Sequence, residues 1–236
     1  MSQVFLCDRE AIQNIADSVA LKGKTVLEIG TGEALLTREL AKRAKKVVSL
    51  EVDKELMPKI NKNLDGLKNV EVNFIDARQA SFDYEIVFGN IPYHLSSELL
   101  FKLLDSNFKQ AVIMVQKEFA DRLIAEPGGD DYGRLSVTTQ AKANVKKLFD
   151  VPKWSFVPAP RVDSTVVLIE KSDNAVLNEE LVRALFSHRN QNVRKALINS
   201  HLVSKEKAQE LADLVENKRV KELTLEDVEE LSLAFH

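Results

Sequence analysis

The chain has 236 residues, 44% of them apolar and 29% charged, which excludes a disordered polypeptide and suits one sizeable domain with a smaller one. No apolar run reaches the roughly 18 residues of a membrane span, and Met1 to Glu10 lacks the basic-then-apolar order of a secretory leader. The single cysteine, Cys7, excludes an internal disulfide and a cysteine-cluster metal site and fits a reducing cytoplasm; the net charge of −3 gives no overall pull toward nucleic acid.

The first 170 or so residues predict alternating strands and helices. Thr25 to Ile29 is a short apolar strand closed by Gly30-Thr31-Gly32, and Glu33 to Arg43 has helical spacing. Lys46 to Val52 is a strand, Glu55 to Leu64 a helix, Val70 to Ile75 a third strand and Glu85 to Phe88 a fourth. Ser96 to Leu104 reads as a helix with Ser96 as N-cap, and Ala111 to Val115 as a fifth strand. This order predicts an α/β fold with a mostly parallel sheet covered on both faces. Glu126 to Asp131 is a loop, Arg134 to Ala143 a helix, and Val145 to Val151 and Ser164 to Ile169 two further strands. Between those strands, Pro152 to Pro160 holds three prolines and predicts a stiff extended connection. After a linker at Lys171 to Ala175, Glu179 to Phe186, Asn192 to Asn199, Ser204 to Leu214 and Leu225 to Leu231 are helical, the last capped by Thr224 with Asp227. The division expected is a catalytic domain, 1–172, and an all-helical domain, 173–236.

Two strand ends carry chemistry. The Gly30-Thr31-Gly32 turn lets a backbone approach a ligand closely, but it is neither a full dinucleotide fingerprint nor a phosphate loop. Glu28 precedes it, Glu51 ends the second strand where a carboxylate accepts from ribose hydroxyls, and Asp76 ends the third where one accepts from an adenine amine. Each acid alone is more often a solvated loop carboxylate. As a set they suit a ligand with an adenosine and a positive charge, S-adenosylmethionine rather than NAD. Downstream, Asn90-Ile91-Pro92-Tyr93 places an amide, carbonyls and an aromatic ring at another strand end, where they can hold a planar base through its exocyclic amine. The plain alternative is a strand-to-turn connection with a proline. The histidines at 94, 188, 201 and 236 are scattered, so no metal site is expected. From Leu181 to Lys207 there are six Lys/Arg against one acid, and from Ala208 to His236 three against eight. The basic block is either a phosphate-binding patch or an ordinary solvated helix face.

Glu28-Ile-Gly-Thr-Gly32, Glu51, Asp76-Ala77, Asn90-Ile-Pro-Tyr93 and Phe156-Val-Pro-Ala-Pro-Arg-Val-Asp-Ser164 together resemble the small-subunit ribosomal RNA adenine dimethyltransferases. Gln116 to Arg122, Tyr132 to Ser136 and Leu185 to Leu197 look like the same family, the last more like its archaeal and eukaryotic members than its bacterial ones. The resemblance implies a Rossmann-like, S-adenosylmethionine-dependent methyltransferase sheet of seven strands, the last antiparallel, with a small helical C-terminal domain. It implies transfer of four methyl groups to N6 of two adjacent adenosines near the 3′ end of small-subunit rRNA, within a pre-ribosomal subunit, by a monomer.

Carried over by position, the cofactor-binding set is Val4, Leu6, Glu28, Gly30, Gly32, Glu51, Asp76, Ala77 and Asn90. Val4, in Gln3-Val4-Phe5-Leu6, departs from the family's Asn/His, so a contact by that side chain is lost. Asn90, Ile91, Pro92 and Tyr93 form the acceptor side, with Phe156 facing Tyr93 across the base. Arg161, Arg183, Arg189, Arg194 and Lys195 are the expected RNA contacts. Three rival readings share these motifs: a large-subunit rRNA adenine methyltransferase of the resistance type, an assembly factor whose RNA binding outweighs catalysis, and a small-molecule N-methyltransferase.

Overall fold

The computed structural model describes residues 4–235; Gln3 of the leading motif lies outside them. The elements are β1 (Phe5–Leu6), α1 (Arg9–Ala16), β2 (Thr25–Ile29), α2 (Leu35–Ala41), β3 (Lys46–Glu51), α3 (Met57–Asn63) and β4 (Val70–Phe74). There follow β5 (Ile86–Asn90), α4 (Ser96–Asp105), β6 (Gln110–Gln116), α5 (Lys117–Leu123), α6 (Arg134–Lys142), β7 (Ala143–Val151), β8 (Phe156–Val157) and β9 (Ser164–Lys171). The chain ends in α7 (Glu179–Phe186), α8 (Val193–Ser200), α9 (Lys205–Leu214) and α10 (Leu225–Ala234).

Seven strands form one sheet in the order β4-β3-β2-β5-β6-β9-β7. The pairs β3/β4, β2/β3, β2/β5 and β5/β6 are parallel, and β9, the last strand in the chain, runs antiparallel to β6. The expected seven-stranded sheet with its last strand antiparallel is therefore present. The chain winds outward from β2 through β3 to β4, then returns to lay β5 against the other side of β2. That reversal opens a crevice at the C-terminal ends of β2 and β5, where doubly wound sheets bind ligands. β2, β3 and β5 are almost wholly buried, which is why each reads as a continuous apolar run rather than an alternating one.

The described residues pack as two compact units, one of residues up to 120 with 146–171, the other of 121–145 with 172 onward. The units change at 120/121, 145/146 and 171/172. Residues 121–145, assigned by sequence to the first domain, pack instead with the terminal helices. The reason is local to that unit: Tyr132 is buried edge-on against Phe186, ring centroids 5.8 Å apart, and its hydroxyl donates to the Leu223 carbonyl at 2.8 Å. Val137 is buried in the same apolar cluster as Leu181, Leu185 and Leu197.

Two further expectations change. Ser96 is the first residue of α4 rather than its cap, and no side chain caps that helix, because the 3-10 turn Tyr93–Leu95 runs directly into it. Pro152 to Pro160 is not uniformly extended: it holds a 3-10 turn at Lys153–Ser155 and then β8, which pairs with β1. The strand β1 and the helices α1 and α5 add to the elements that the sequence predicts.

Candidate active site

β2 and β5 are in parallel register, Ile29 opposite Gly89, so the glycine turn after β2 and Asn90 at the end of β5 arrive side by side. Gly30 (φ 86°) sits so close that a Cβ there would lie 3.3 Å from the Asn90 carbonyl oxygen. Glycine is thus required twice over at this position, for its positive φ and for the approach. The turn hangs from β3: the N–H groups of Gly30 and Thr31 both donate to the Leu50 carbonyl, at 2.9 and 3.0 Å.

Glu51 closes the other side. Its Oε2 accepts from Gly32 N–H at 2.8 Å, and its Oε1 accepts from Val52 and Asp53 N–H at 2.9 Å. A carboxylate oxygen has two lone-pair directions, so Oε1 is filled and one direction remains on Oε2, fit for a ligand hydroxyl. Asp76 keeps both oxygens on Arg78, whose guanidinium and main-chain N–H hold the carboxyl down to about 2. Any ligand amine there would share the carboxylate with Arg78.

Glu28 differs from the expected strand-end acid. It is 1% exposed, inside β2, beneath the glycine turn. Thr37 and Ser49 hydroxyls donate to its Oε2, both at 2.6 Å, while its Oε1 has no partner among the described residues. Ser49 has one proton to give, so the 2.6 Å contact between Ser49 and Thr31 runs from Thr31 to Ser49 and ties the network to the turn. Burial, reinforced by the charge of Glu51, pushes the Glu28 carboxyl up to about 7.

A cavity of about 740 Å³ joins these groups. Val4, Leu6, Glu28, Gly30, Gly32, Glu51, Asp76, Ala77, Asn90, Ile91, Pro92, Tyr93 and Phe156 all line it, so every residue assigned from sequence to the cofactor or base shares one space. Ile91 N–H donates to the Met114 carbonyl at 3.2 Å and the Pro92 carbonyl accepts from Leu95 N–H, whereas the Asn90 side-chain amide and the Ile91 carbonyl have no partner among the described residues. The Tyr93 hydroxyl is bonded to Ser164 Oγ at 2.9 Å, which fixes the ring. Phe156 is a wall rather than an exposed platform: at 3% exposure it belongs to the core cluster around Leu6 and Met114, with part of its surface on the cavity. Phe5 is a lining residue the sequence reading did not assign; its ring lies 3.3 Å from where a Gly32 Cβ would be.

The expected RNA contacts fall in both units. Arg161 is exposed in the sheet unit; Arg183, Arg194 and Lys195 are exposed on α7 and α8. Arg189 is half-buried and donates to the Asp130 and Tyr132 carbonyls at 2.7 and 3.0 Å, holding the 126–133 loop. Among the described residues no group of three His, Cys, Asp or Glu is placed to hold a metal ion, and no helix is long and apolar enough to cross a membrane.

This strand order, with a glycine turn after β2 and an acid ending β3 around a single cavity, is the architecture of the Rossmann-like methyltransferases. A family model described as ribosomal RNA adenine dimethylase matches residues 1–235. The chain belongs to that family. It is 41% identical to the "Probable ribosomal RNA small subunit methyltransferase A" of Pyrococcus furiosus, over 98% of this chain and 89% of that protein. It is 37% identical to the ribosomal RNA small subunit methyltransferase A of Mycoplasma mobile, over 88% and 85%. Among solved structures, a dimethyladenosine transferase from Plasmodium falciparum superposes with a TM-score of 0.86 at 29% identity, covering 98% of this chain and 97% of that one. The 23S rRNA methyltransferase ErmE superposes at 0.73, also 29% identical, covering 98% of each chain.

Proposed function

We propose that this chain dimethylates N6 of two adjacent adenosines near the 3′ end of small-subunit rRNA, using S-adenosylmethionine, as a cytoplasmic monomer acting on pre-ribosomal subunits. One observation carries the reading: the glycine turn after β2 meets the Asn90 amide at the end of β5 and the Ile91 carbonyl just beyond it, both without a partner among the described residues, at the switch point of the sheet within one cavity. The donor set supports a cationic adenosyl ligand. Of the lining acids, Asp76 is paired with Arg78, Glu33 with Lys59 and Glu28 is buried, so Glu51 is the carboxylate that faces the cavity without a cationic partner among the described residues, and the lining has no glycine-rich phosphate loop. The remaining acceptor direction on Glu51 suits a ribose hydroxyl.

When bound, S-adenosylmethionine supplies a methyl group already activated on a sulfonium. The residues of this chain then position the nucleophile. The lone pair of an adenine amine is delocalised into its ring and attacks poorly. Asn90 Oδ1 and the Ile91 carbonyl would accept the two N–H bonds of that amine and favour its pyramidal form. Tyr93, braced by Ser164, and Phe156 would flank the base once it has left its stack. The rate enhancement asked of this site is positioning and electrostatic, with no covalent enzyme intermediate.

The decisive experiment is Asn90→Ala with labelled S-adenosylmethionine and unmethylated small subunits. Cofactor affinity should stay within a few-fold while methyl transfer falls by roughly two to four orders of magnitude. Transfer at the wild-type rate would remove Asn90 from the mechanism. Because ErmE also superposes over the whole chain, the methylated nucleotides should be mapped. Label in large-subunit RNA alone would select that rival instead.

A further inference from the structure

We propose that the surface around Trp154 is a landing site for single-stranded rRNA, with the indole stacking on a base next to the adenosine held in the cavity. The inference rests on the rRNA methyltransferase reading above and adds a contact to it.

Trp154 is 75% exposed and is the one tryptophan in the chain. Val157, at 61%, and Val162, at 43%, are exposed within the same short segment. Isolated exposed apolar residues need no explanation, but here three fall within nine residues, a bare indole among them. The segment is not loose. Ser155 N–H donates to the Pro152 carbonyl at 2.9 Å, Lys153 N–H to Asp163 Oδ1 at 2.9 Å, and Cys7 N–H to the Ser155 carbonyl at 2.8 Å. In β8, paired with β1, the side chains alternate: Phe156 faces the core and cavity and Val157 faces out. The fold therefore holds Trp154 outward on a fixed frame.

Position and charge select the occupant. Trp154 is two residues from Phe156, so their Cα atoms are at most about 7 Å apart. That is the span of roughly two stacked nucleotide steps. Phe156 lines the cavity proposed for the base, and Trp154 stands two residues before it on the same chain segment, outside that lining. From Val151 to Val162 there are two cations, Lys153 and Arg161, both exposed, and the two carboxylates bonded to the segment, Asp163 and Asp8, are engaged by Lys153 N–H and the Ser155 hydroxyl, each at 2.9 Å. An aromatic face flanked by cations is the recurring arrangement for single strands, since every base offers a π face and every linkage a phosphate.

A solitary tryptophan is its own probe. Dye-labelled single-stranded oligoadenylate should quench Trp154 emission saturably, in step with the anisotropy of the dye, and a duplex of equal length should not. Trp154→Ala should weaken binding of that oligonucleotide about tenfold, the loss of one base stack, and Trp154→Phe should restore most of it. Calorimetric affinity for S-adenosylmethionine checks that the variants retain the cavity. RNA binding that leaves the emission unmoved, or equal affinity for wild type and Trp154→Ala, overturns the proposal. Quenching by ribosomal protein but not by naked RNA also overturns it, in favour of a protein contact. Wild-type protein that methylates rRNA while Trp154 stays silent would sink this contact alone. Absence of any rRNA methylation would sink the reading beneath it.

Discussion

Glu28 shows how far a residue's neighbours in space can move it from its reading in sequence. As the acid before a glycine turn it resembles a ligand-facing carboxylate, but Thr37 and Ser49, nine and 21 residues away, close over one oxygen and leave the other bare. Its carboxyl moves from an ordinary value of 4.5 to about 7, chiefly through burial. Between those values the folded protein binds a proton that the unfolded chain has released. The stability from the neutral acid is therefore complete below about 4.5 and is lost as pH rises through about 7. Glu28→Gln keeps a neutral acceptor for Thr37 and Ser49 and removes the titration. The stability of the wild type relative to Glu28→Gln should fall by up to about 3 kcal/mol between pH 4.5 and 7 and level off above. Urea unfolding of both proteins across that range measures it, and a pH-independent difference contradicts the assignment. Much of the rest of the site was legible, because Gly30, Glu51, Asn90 and Tyr93 lie at strand ends that apolar runs mark plainly. The Arg78 clamp on Asp76, the Ser164 brace on Tyr93 and the part played by Phe5 depend on side-chain geometry that no spacing reveals.

At the level of single elements, sequence signals worked where a period or a cap was long enough to read. The Thr224 cap of α10 is an example. Thr224 Oγ1 accepts from Asp227 N–H at 3.2 Å, and Asp227 Oδ2 accepts from Thr224 N–H at 2.9 Å. Lys218 adds an ion pair to Asp227 at 3.0 Å. Thr224→Ala should cost about 1 kcal/mol, read as roughly fivefold faster amide exchange in the first turn of α10. Unchanged exchange would mean that the turn is held by packing on Val228 and Leu231 instead. The two-residue strands β1 and β8 carry no readable alternation, and β8 lies among prolines that argue against a strand. Helix α5 starts at the residue after β6, with no intervening loop to announce it. Ser96 misled because a serine before an apolar run has the composition of a cap whether or not a 3-10 turn already feeds the helix.

For the whole molecule, composition located the change from mixed to helical structure near 172 but could not show that 121–145 belongs with the later helices. The contact that reveals it, Tyr132 to Leu223, spans 91 residues. A chain ended after Ser172 should therefore not behave as a finished domain. Tyr132 and Val137 would lose the cluster that buries them, so that fragment should bind a hydrophobic dye and unfold with reduced cooperativity in calorimetry. A dye-silent fragment with a sharp transition would contradict the division. The same arrangement sets a schedule for biosynthesis. Tyr132 leaves the ribosome well before Leu223 and Leu231 are made. At about 5–20 residues per second, the roughly 90 residues after 145 take some 5–18 s. During that interval the nascent chain carries a tyrosine and a valine whose cover is still being made, Phe186 of α7 first and the Leu223 carbonyl among the last.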